Sequence, residues 1–307
     1  MKTFRSWLIT GISLIGLIGC ANHTIDMPAI TDTATEQHLP GKIIWHDLIS
    51  DTPTQSQHFY TTLLGWTFET VPLNDQMNYR LIRNKGQLIG GMVDQTQLRS
   101  QADISQWMPL MATDDIEASI QTVSAQGGKI IAPPTDVLSR GKISVIEDPQ
   151  GALMALLQTK WGDPADREPV PGDFLWNELW TSDQDSATHF YQSLTQFTID
   201  DHVVAAADEH RYRILKSQDT PRLSIIPNPV EDLDPVWVSY ILVENAAVLE
   251  AMVAQVEGLG GKVLLPPQDR LIGGKVALIA DPSGAGIALQ TWPKTPSTSS
   301  SQIEAQP

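Results

Sequence analysis

The amino-acid sequence predicts an α+β fold of two tandem domains, each a pair of βαβββ units. Three observations carry this prediction. A set of short motifs recurs in one order about 131 to 133 residues apart. Within each copy, a strand-like run, a helical stripe and three more strand-like runs occur twice over. A hydrophobic content of 41% in 307 residues is enough to fill the cores of two ordinary domains.

The repeat is legible residue by residue. Trp45-His46-Asp47-Leu48 answers to Trp176-Asn177-Glu178-Leu179, and His58-Phe59-Tyr60 to His189-Phe190-Tyr191, both at an offset of 131. Gly127-Gly128-Lys129 then answers to Gly260-Gly261-Lys262, Pro133-Pro134 to Pro266-Pro267, Gly141-Lys142 to Gly274-Lys275 and Asp148-Pro149 to Asp281-Pro282, all at 133. A small net insertion in the second copy accounts for the change.

In the first copy, Ile43 to Ile49 is an apolar run with alternating faces and predicts a strand. Phe59, Tyr60, Leu63 and Leu64 form a helical stripe over residues 54–64, closed by Gly65. Short strands are expected near 67–70, 79–83 and 88–93. The order then recurs, with a strand at 110–113, a helix at 116–125 with Ile116, Ile120 and Val123 on one face, and strands at 129–132, 143–146 and 153–158. The first domain is expected to span 41–160 and the second 172–292. The Pro-rich, acidic stretch 161–171 reads as a linker between separately folding domains, and the Ser/Thr/Pro/Gln-rich tail 293–307 as disordered.

The N-terminus predicts export. Lys2 and Arg5 precede a twelve-residue, mostly apolar run from Trp7 to Ile18, too short to span a bilayer, which needs about 20 residues. The run ends Leu17-Ile18-Gly19-Cys20, which resembles a bacterial lipobox. The resemblance implies cleavage of residues 1–19 as a signal peptide and lipidation of Cys20, the only cysteine in the chain. Ala21 rather than Asp follows it, which implies the periplasmic side of the outer membrane where two membranes exist. Residues 20–40 are expected to be a flexible lipidated tether. Losing Lys2 and Arg5 takes the formal charge from −16 to −18. With no basic stripe, nucleic acid is excluded as a partner.

The carrying motifs Trp45-x-Asp47-Leu48, Phe59-Tyr60-x-x-Leu63-Leu64-Gly65-Trp66, Ile89-Gly90-Gly91-Met92, Gly127-Gly128-Lys129, Pro133-Pro134 and Asp148-Pro149-Gln150-Gly151-Ala152 resemble the vicinal oxygen chelate superfamily of glyoxalases, ring-cleaving dioxygenases and bleomycin-resistance proteins. The second copy repeats most of them but has Gln196-Phe197 for Gly65-Trp66 and lacks the Gly90-Gly91 pair. The resemblance implies a sheet curled around a cavity. It also implies a divalent metal, held by a His fourteen residues before the Phe of the Phe-Tyr pair and a Glu four residues after the turn glycine. Those positions are Trp45, Ala155, Trp176 and Ala288 here, and neither indole nor methyl ligates a metal. No metal or other cofactor is therefore expected.

Strand alternation places Trp45, Asp47 and Ile49 on the cavity face, and Trp176, Glu178 and Trp180 in the second copy. His46 points away and reads as structural, and His58 and His189 read as helix-boundary residues. Trp45, Asp47, Trp176, Glu178 and Trp180 are the candidate ligand-binding residues. A carboxylate between aromatic faces suits an amine or quaternary ammonium. The alternative is that the indoles fill the barrel and the acids bond the backbone, with Arg80 and Arg213 as their neutralising partners. No nucleophile, paired acid or phosphate-binding glycine loop accompanies these residues, and the glycine pairs read as turn and bulge glycines. The expected function is a metal-free, envelope-anchored small-molecule binder. The alternatives are a metal-dependent lyase or dioxygenase of the same superfamily, and an envelope scaffold with no ligand.

Overall fold

A computed structural model describes residues 25–98, 103–203, 211–230, 232–270 and 273–292. Cys20, the signal segment and the tail 293–307 lie outside the described residues. In the first repeat, β1 (Ile43–Ser50), α1 (Pro53–Leu64), β2 (Thr67–Pro72), β3 (Asn78–Asn84) and β4 (Gln87–Asp94) form one unit, and β5 (Gln106–Ala112), α2 (Ile116–Ala125), β6 (Lys129–Asp136), β7 (Gly141–Glu147) and β8 (Leu153–Thr159) form the next. The second repeat follows the same plan, with β9 (Phe174–Thr181), α3 (Gln184–Leu194), β10 (Thr198–Val203), β11 (Arg211–Ser217) and β12 (Thr220–Pro227), then β13 (Val236–Val243), α4 (Ala246–Val253), β14 (Lys262–Asp269), β15 (Lys275–Ala280) and β16 (Gly286–Thr291). The fold is thus two eight-stranded sheets, ordered β2-β3-β4-β1-β5-β8-β7-β6 and β10-β11-β12-β9-β13-β16-β15-β14.

Local chemistry sets the element ends. Asp115, Asp183 and Asn245 cap α2, α3 and α4 by accepting from the amides of Ala118, Ser186 and Val248. Gly65 closes α1 in the left-handed region at φ 72°. Two strands run longer than the prolines suggested. Pro109 lies inside β5 just before its parallel pairing with β8 begins at Leu110, so its missing N–H costs no ladder bond there. Pro133 and Pro134 lie within β6, an edge strand whose register slips between Ala132 and Thr135.

The alternation expected of β1 holds. Trp45 and Ile49 join an inner cluster with Tyr79 and Leu81 of β3 and Val145 of β7. Because β3 and β7 are far apart in the strand order, the sheet must curl around that cluster. Leu48 points the other way, into a cluster with Phe59, Tyr60 and Trp66.

The helix-side clusters are shared between repeats, so the two domains pack against each other rather than standing apart. The first unit's Leu48, Phe59, Tyr60 and Trp66 pack with Ile241, Leu249, Ile279 and Leu289 of the fourth unit. The second unit's Met111, Ile116, Ile146 and Leu156 pack with Leu179, Phe190 and Tyr191 of the third and with Trp237 at the start of the fourth. The recurring motifs make these joints. A Cβ on Gly261 would lie 2.6 Å from Phe59, and one on Gly128 would lie 3.0 Å from Phe190, so each Gly-Gly pair clears space for the other repeat's phenylalanine. Tyr191 donates to Asp148 at 3.1 Å across the joint while accepting from Trp237 at 3.0 Å. Burial raises the Asp148 and Asp281 carboxyls above the usual carboxylate range. These glycines therefore serve close approach between repeats rather than turns alone.

Residues 25–40 also depart from expectation. Met27 and Ile30 are buried in the inner cluster of the first domain. The Met27 amide donates to the Val137 carbonyl at 3.2 Å, the Ser139 amide donates to Asp26 at 3.0 Å, and Arg83 pairs with both Asp32 oxygens at 2.8 and 3.0 Å. Two apolar side chains with somewhere to go convert most of the expected tether into a docked strap. The linker is likewise engaged. Asp163 accepts from the Leu39 amide at 2.7 Å, and Asp166 joins Lys42 at 2.9 Å and Arg222 at 2.7 Å.

Candidate functional site

Each inner face is organised around the carboxylate on its first strand. In the first domain, Asp47 Oδ1 accepts from the Trp45 indole N–H at 2.9 Å and from the Tyr79 hydroxyl in a short hydrogen bond. The Arg140 Nη1 lies 3.7 Å from Asp47 Oδ2. Its guanidinium carbon is 5.3 Å from the Trp45 ring and 4.8 Å from the Tyr79 ring. Arg140 is fully buried, and its Nε donates to the Pro28 carbonyl of the docked strap at 3.0 Å. Neither Nη of Arg140 has a hydrogen-bond partner. Burial raises the Tyr79 hydroxyl well above its ordinary range, so it stays a donor to Asp47.

In the second domain, Glu178 is fully buried and meets Arg270, whose Nη2 is 2.7 Å from Oε1. Oε2 accepts from the Tyr240 hydroxyl in a short hydrogen bond and from the Trp180 indole at 3.4 Å. Arg270 also reaches the Tyr212 hydroxyl at 3.1 Å and donates to Gln290, and its guanidinium carbon lies 4.8 Å from the Tyr240 ring. Burial dominates the upward shift of Tyr240. The Trp176 indole donates to Ser224 at 2.9 Å, and Trp176 and Tyr212 are half-buried at the face.

The chain's own cations already lie against these rings and carboxylates. Arg140 and Arg270 occupy the place assigned to an amine or quaternary ammonium, so Asp47 and Glu178 are compensated and an amine ligand finds no free charge. These arginines escaped notice because both lie in loops some ninety residues after their carboxylates, with no motif to mark them. Arg213 instead pairs with Asp185 at 2.7 Å and Asp201 at 2.9 Å. Arg80 follows Tyr79 in β3, so alternation turns it from the inner face.

His46 lies on the helix side, stacked on Phe174 with ring centroids 3.6 Å apart, and its Nε2 is 2.9 Å from Asn177 Oδ1. His46 and Asn177 are equivalent positions of the two repeats, brought together at the joint. Burial pulls the imidazole pKa down to about 4. His58 and His189 are exposed.

The residues present do not suit a resident metal on either face. At the positions that would carry ligands, Trp45 and Trp176 offer indole N–H donors already given to Asp47 and Ser224, and Ala155 and Ala288 are buried methyls. Among the described residues no three His, Cys, Asp or Glu side chains come together.

A model of the Glyoxalase/Bleomycin resistance protein/Dioxygenase superfamily matches residues 42–156 and 174–289. CFP32 of Mycobacterium tuberculosis, named as a glyoxylase, is 28% identical over 250 residues, covering 81% of this chain and 94% of that protein. The anthracycline biosynthesis protein DnrV of Streptomyces peucetius is 30% identical over 267 residues, covering 81% and 93%. Among solved structures, a Mn(II)-bound glyoxalase from Novosphingobium aromaticivorans aligns with a TM-score of 0.56 at 15% identity over 83% of each chain. The 2,3-dioxygenase LapB from Pseudomonas sp. KL28 aligns at 0.55 and 14%, over 85% of this chain and 94% of that one.

Proposed function

Because the chain belongs to the Glyoxalase/Bleomycin resistance protein/Dioxygenase superfamily, we propose that it is a metal-free, lipid-anchored member that binds a small molecule on the inner face of its second domain. The observation that carries this reading is the contrast between the faces. The first is closed by Met27 and Ile30 of the docked strap. The second presents half-buried Trp176 and Tyr212 beside an internally neutralised Glu178–Arg270 pair. A pocket with aromatic walls and a few fixed polar groups suits an organic ligand. Since Arg270 cancels the acid, the ligand is neutral and flat, stacking on Trp176 rather than pairing with Glu178. The name of DnrV supports a polycyclic aromatic class.

Anchoring rests on Cys20 and its apolar leader. Among the described residues no helix is long and apolar enough to cross a membrane. Cys20→Ser is expected to release the protein from the membrane fraction, and equal retention would refute the anchor. For the ligand, the chain from residue 21 is titrated calorimetrically with an anthracycline. Saturable binding weakened tenfold or more by Trp176→Ala, roughly the loss of a stacking anchor, supports the site. Unchanged binding in that variant refutes it.

A further inference from the structure

A cavity lies away from both inner faces, and its floor carries a polar atom with nothing bonded to it. The cavity is a partly open cleft of about 410 Å³ between the docked strap, the start of β1, the start of β4 and the linker. That is within the roughly 300–1,000 Å³ of small-molecule sites. Thr31, Thr33 and Thr35 border it from the strap, and Ala165 and Arg167 from the linker. Ile43, Ile44, Leu88 and Ile89 supply apolar wall, and His46 and Phe174 also line it.

His46 is only 4% exposed. Asn177 Oδ1 accepts from the Ser239 hydroxyl at 2.9 Å and lies 2.9 Å from His46 Nε2. An acceptor on that side requires the proton on Nε2, which leaves Nδ1 with a bare lone pair. No described residue hydrogen-bonds Nδ1, and it is not among the sealed, unpartnered atoms of the interior. The lone pair therefore opens onto the cavity that His46 lines. The cavity's acids are compensated: Asp32 by Arg83, Asp166 by Lys42 and Arg222, and Asp173 by Arg167 at 2.6 Å. No carboxylate of the cavity is left unpaired for a cation to answer.

We propose that this junction cavity is a ligand site for a small neutral molecule that donates one O–H or N–H to His46 Nδ1 and rests its apolar body on Ile44, Leu88 and Phe174. The site is distinct from the second-domain inner face, because its lining comes from the strap, the linker and the starts of β1, β4 and β9, and includes neither Trp176 nor Tyr212. It also depends on the strap and linker being docked, so an occupant would hold those two segments together.

The test uses the chain from residue 21, with 2-naphthol as donor probe and its methyl ether as the matched probe without a donor. The His46 Nδ1 resonance is followed by nitrogen NMR of histidine-labelled protein. The expected result is a saturable shift of that resonance by 2-naphthol, at least fivefold weaker binding of the ether, and loss of the shift in Ala165→Trp, where an exposed linker residue fills the cavity without touching a core. The proposal is overturned if 2-naphthol leaves His46 unmoved, if the ether shifts it with equal affinity, or if Ala165→Trp retains the shift. Binding confined to the second-domain face would survive Ala165→Trp and leave His46 unmoved, so the two sites fail separately.

Discussion

The two inner faces follow one plan, and among the positions where they differ one strand position has the widest consequences. Gly91 of β4 is in register with Asp47, and Ser224 of β12 with Glu178. A Cβ at Gly91 would fall inside the Tyr79 hydroxyl and 2.8 Å from Asp47 Oδ1. Glycine there lets Tyr79 reach the carboxylate. In the second copy Ser224 takes the Trp176 indole instead, Tyr212 turns to Arg270, and Tyr240 of β13 supplies the phenol to Glu178. The first face then closes under Met27 and Ile30 as part of a cluster of sixteen buried apolar residues, while among the described residues the corresponding second cluster has six. One face has become core, and the other keeps half-buried aromatic surface. A repeat can thus keep its fold while its two inner faces diverge.

The largest expected effect breaks the second face. Glu178→Ala leaves the Arg270 guanidinium buried without its carboxylate and is expected to cost about 3–5 kcal/mol in denaturant unfolding. A loss under about 1 kcal/mol would mean that Arg270 escapes to solvent and that the pair does not organise the face.

Next comes a difference in pH response between equivalent positions. His46 titrates and Asn177 does not. The folded-state pKa of about 4 lies below the free value of 6.5, so the unfolded chain takes up the proton first as pH falls. The contribution is fully present above pH 6.5 and is lost as pH falls through 4, amounting to roughly 3 kcal/mol. His46→Asn is expected to flatten that part of the stability–pH curve. An unchanged slope would show that other groups carry it.

Exchanging the residues of the strand position shared by Gly91 and Ser224 gives a smaller, asymmetric effect. Gly91→Ser is expected to drive Tyr79 off Asp47 and cost about 2 kcal/mol by overpacking. Ser224→Gly removes one hydrogen bond to a half-buried indole, at about 1 kcal/mol. Equal costs for the two would remove Gly91 from that role.

The fold was legible in the sequence because it depends on period and punctuation. Alternation over Ile43 to Ile49, the Phe59–Leu64 stripe and the stops at Gly65 and Gly127 carry local information. The aromatic and carboxylate members of the inner faces were legible for the same reason, since β1 and β9 sort them by parity. Arg140 and Arg270 were not, because a loop residue reaches its partner through the tertiary fold and leaves no periodic trace. Nor was the joint between the repeats. Gly128 and Gly261 look like turn residues in sequence, and only the packing shows that they receive Phe190 and Phe59. The docked strap was hidden because Met27 and Ile30 are isolated in a polar stretch without periodicity.

The central claim, that the second inner face binds a ligand and the first does not, is tested most directly by fluorine NMR of the chain carrying 5-fluorotryptophan, with Trp45, Trp176 and Trp180 assigned by single Trp→Phe substitutions and an anthracycline as titrant. The account predicts that the Trp176 and Trp180 resonances move together to saturation while that of Trp45 stays in place. A shift of Trp45 with Trp176 and Trp180 unmoved, or no shift of any of the three, would contradict it.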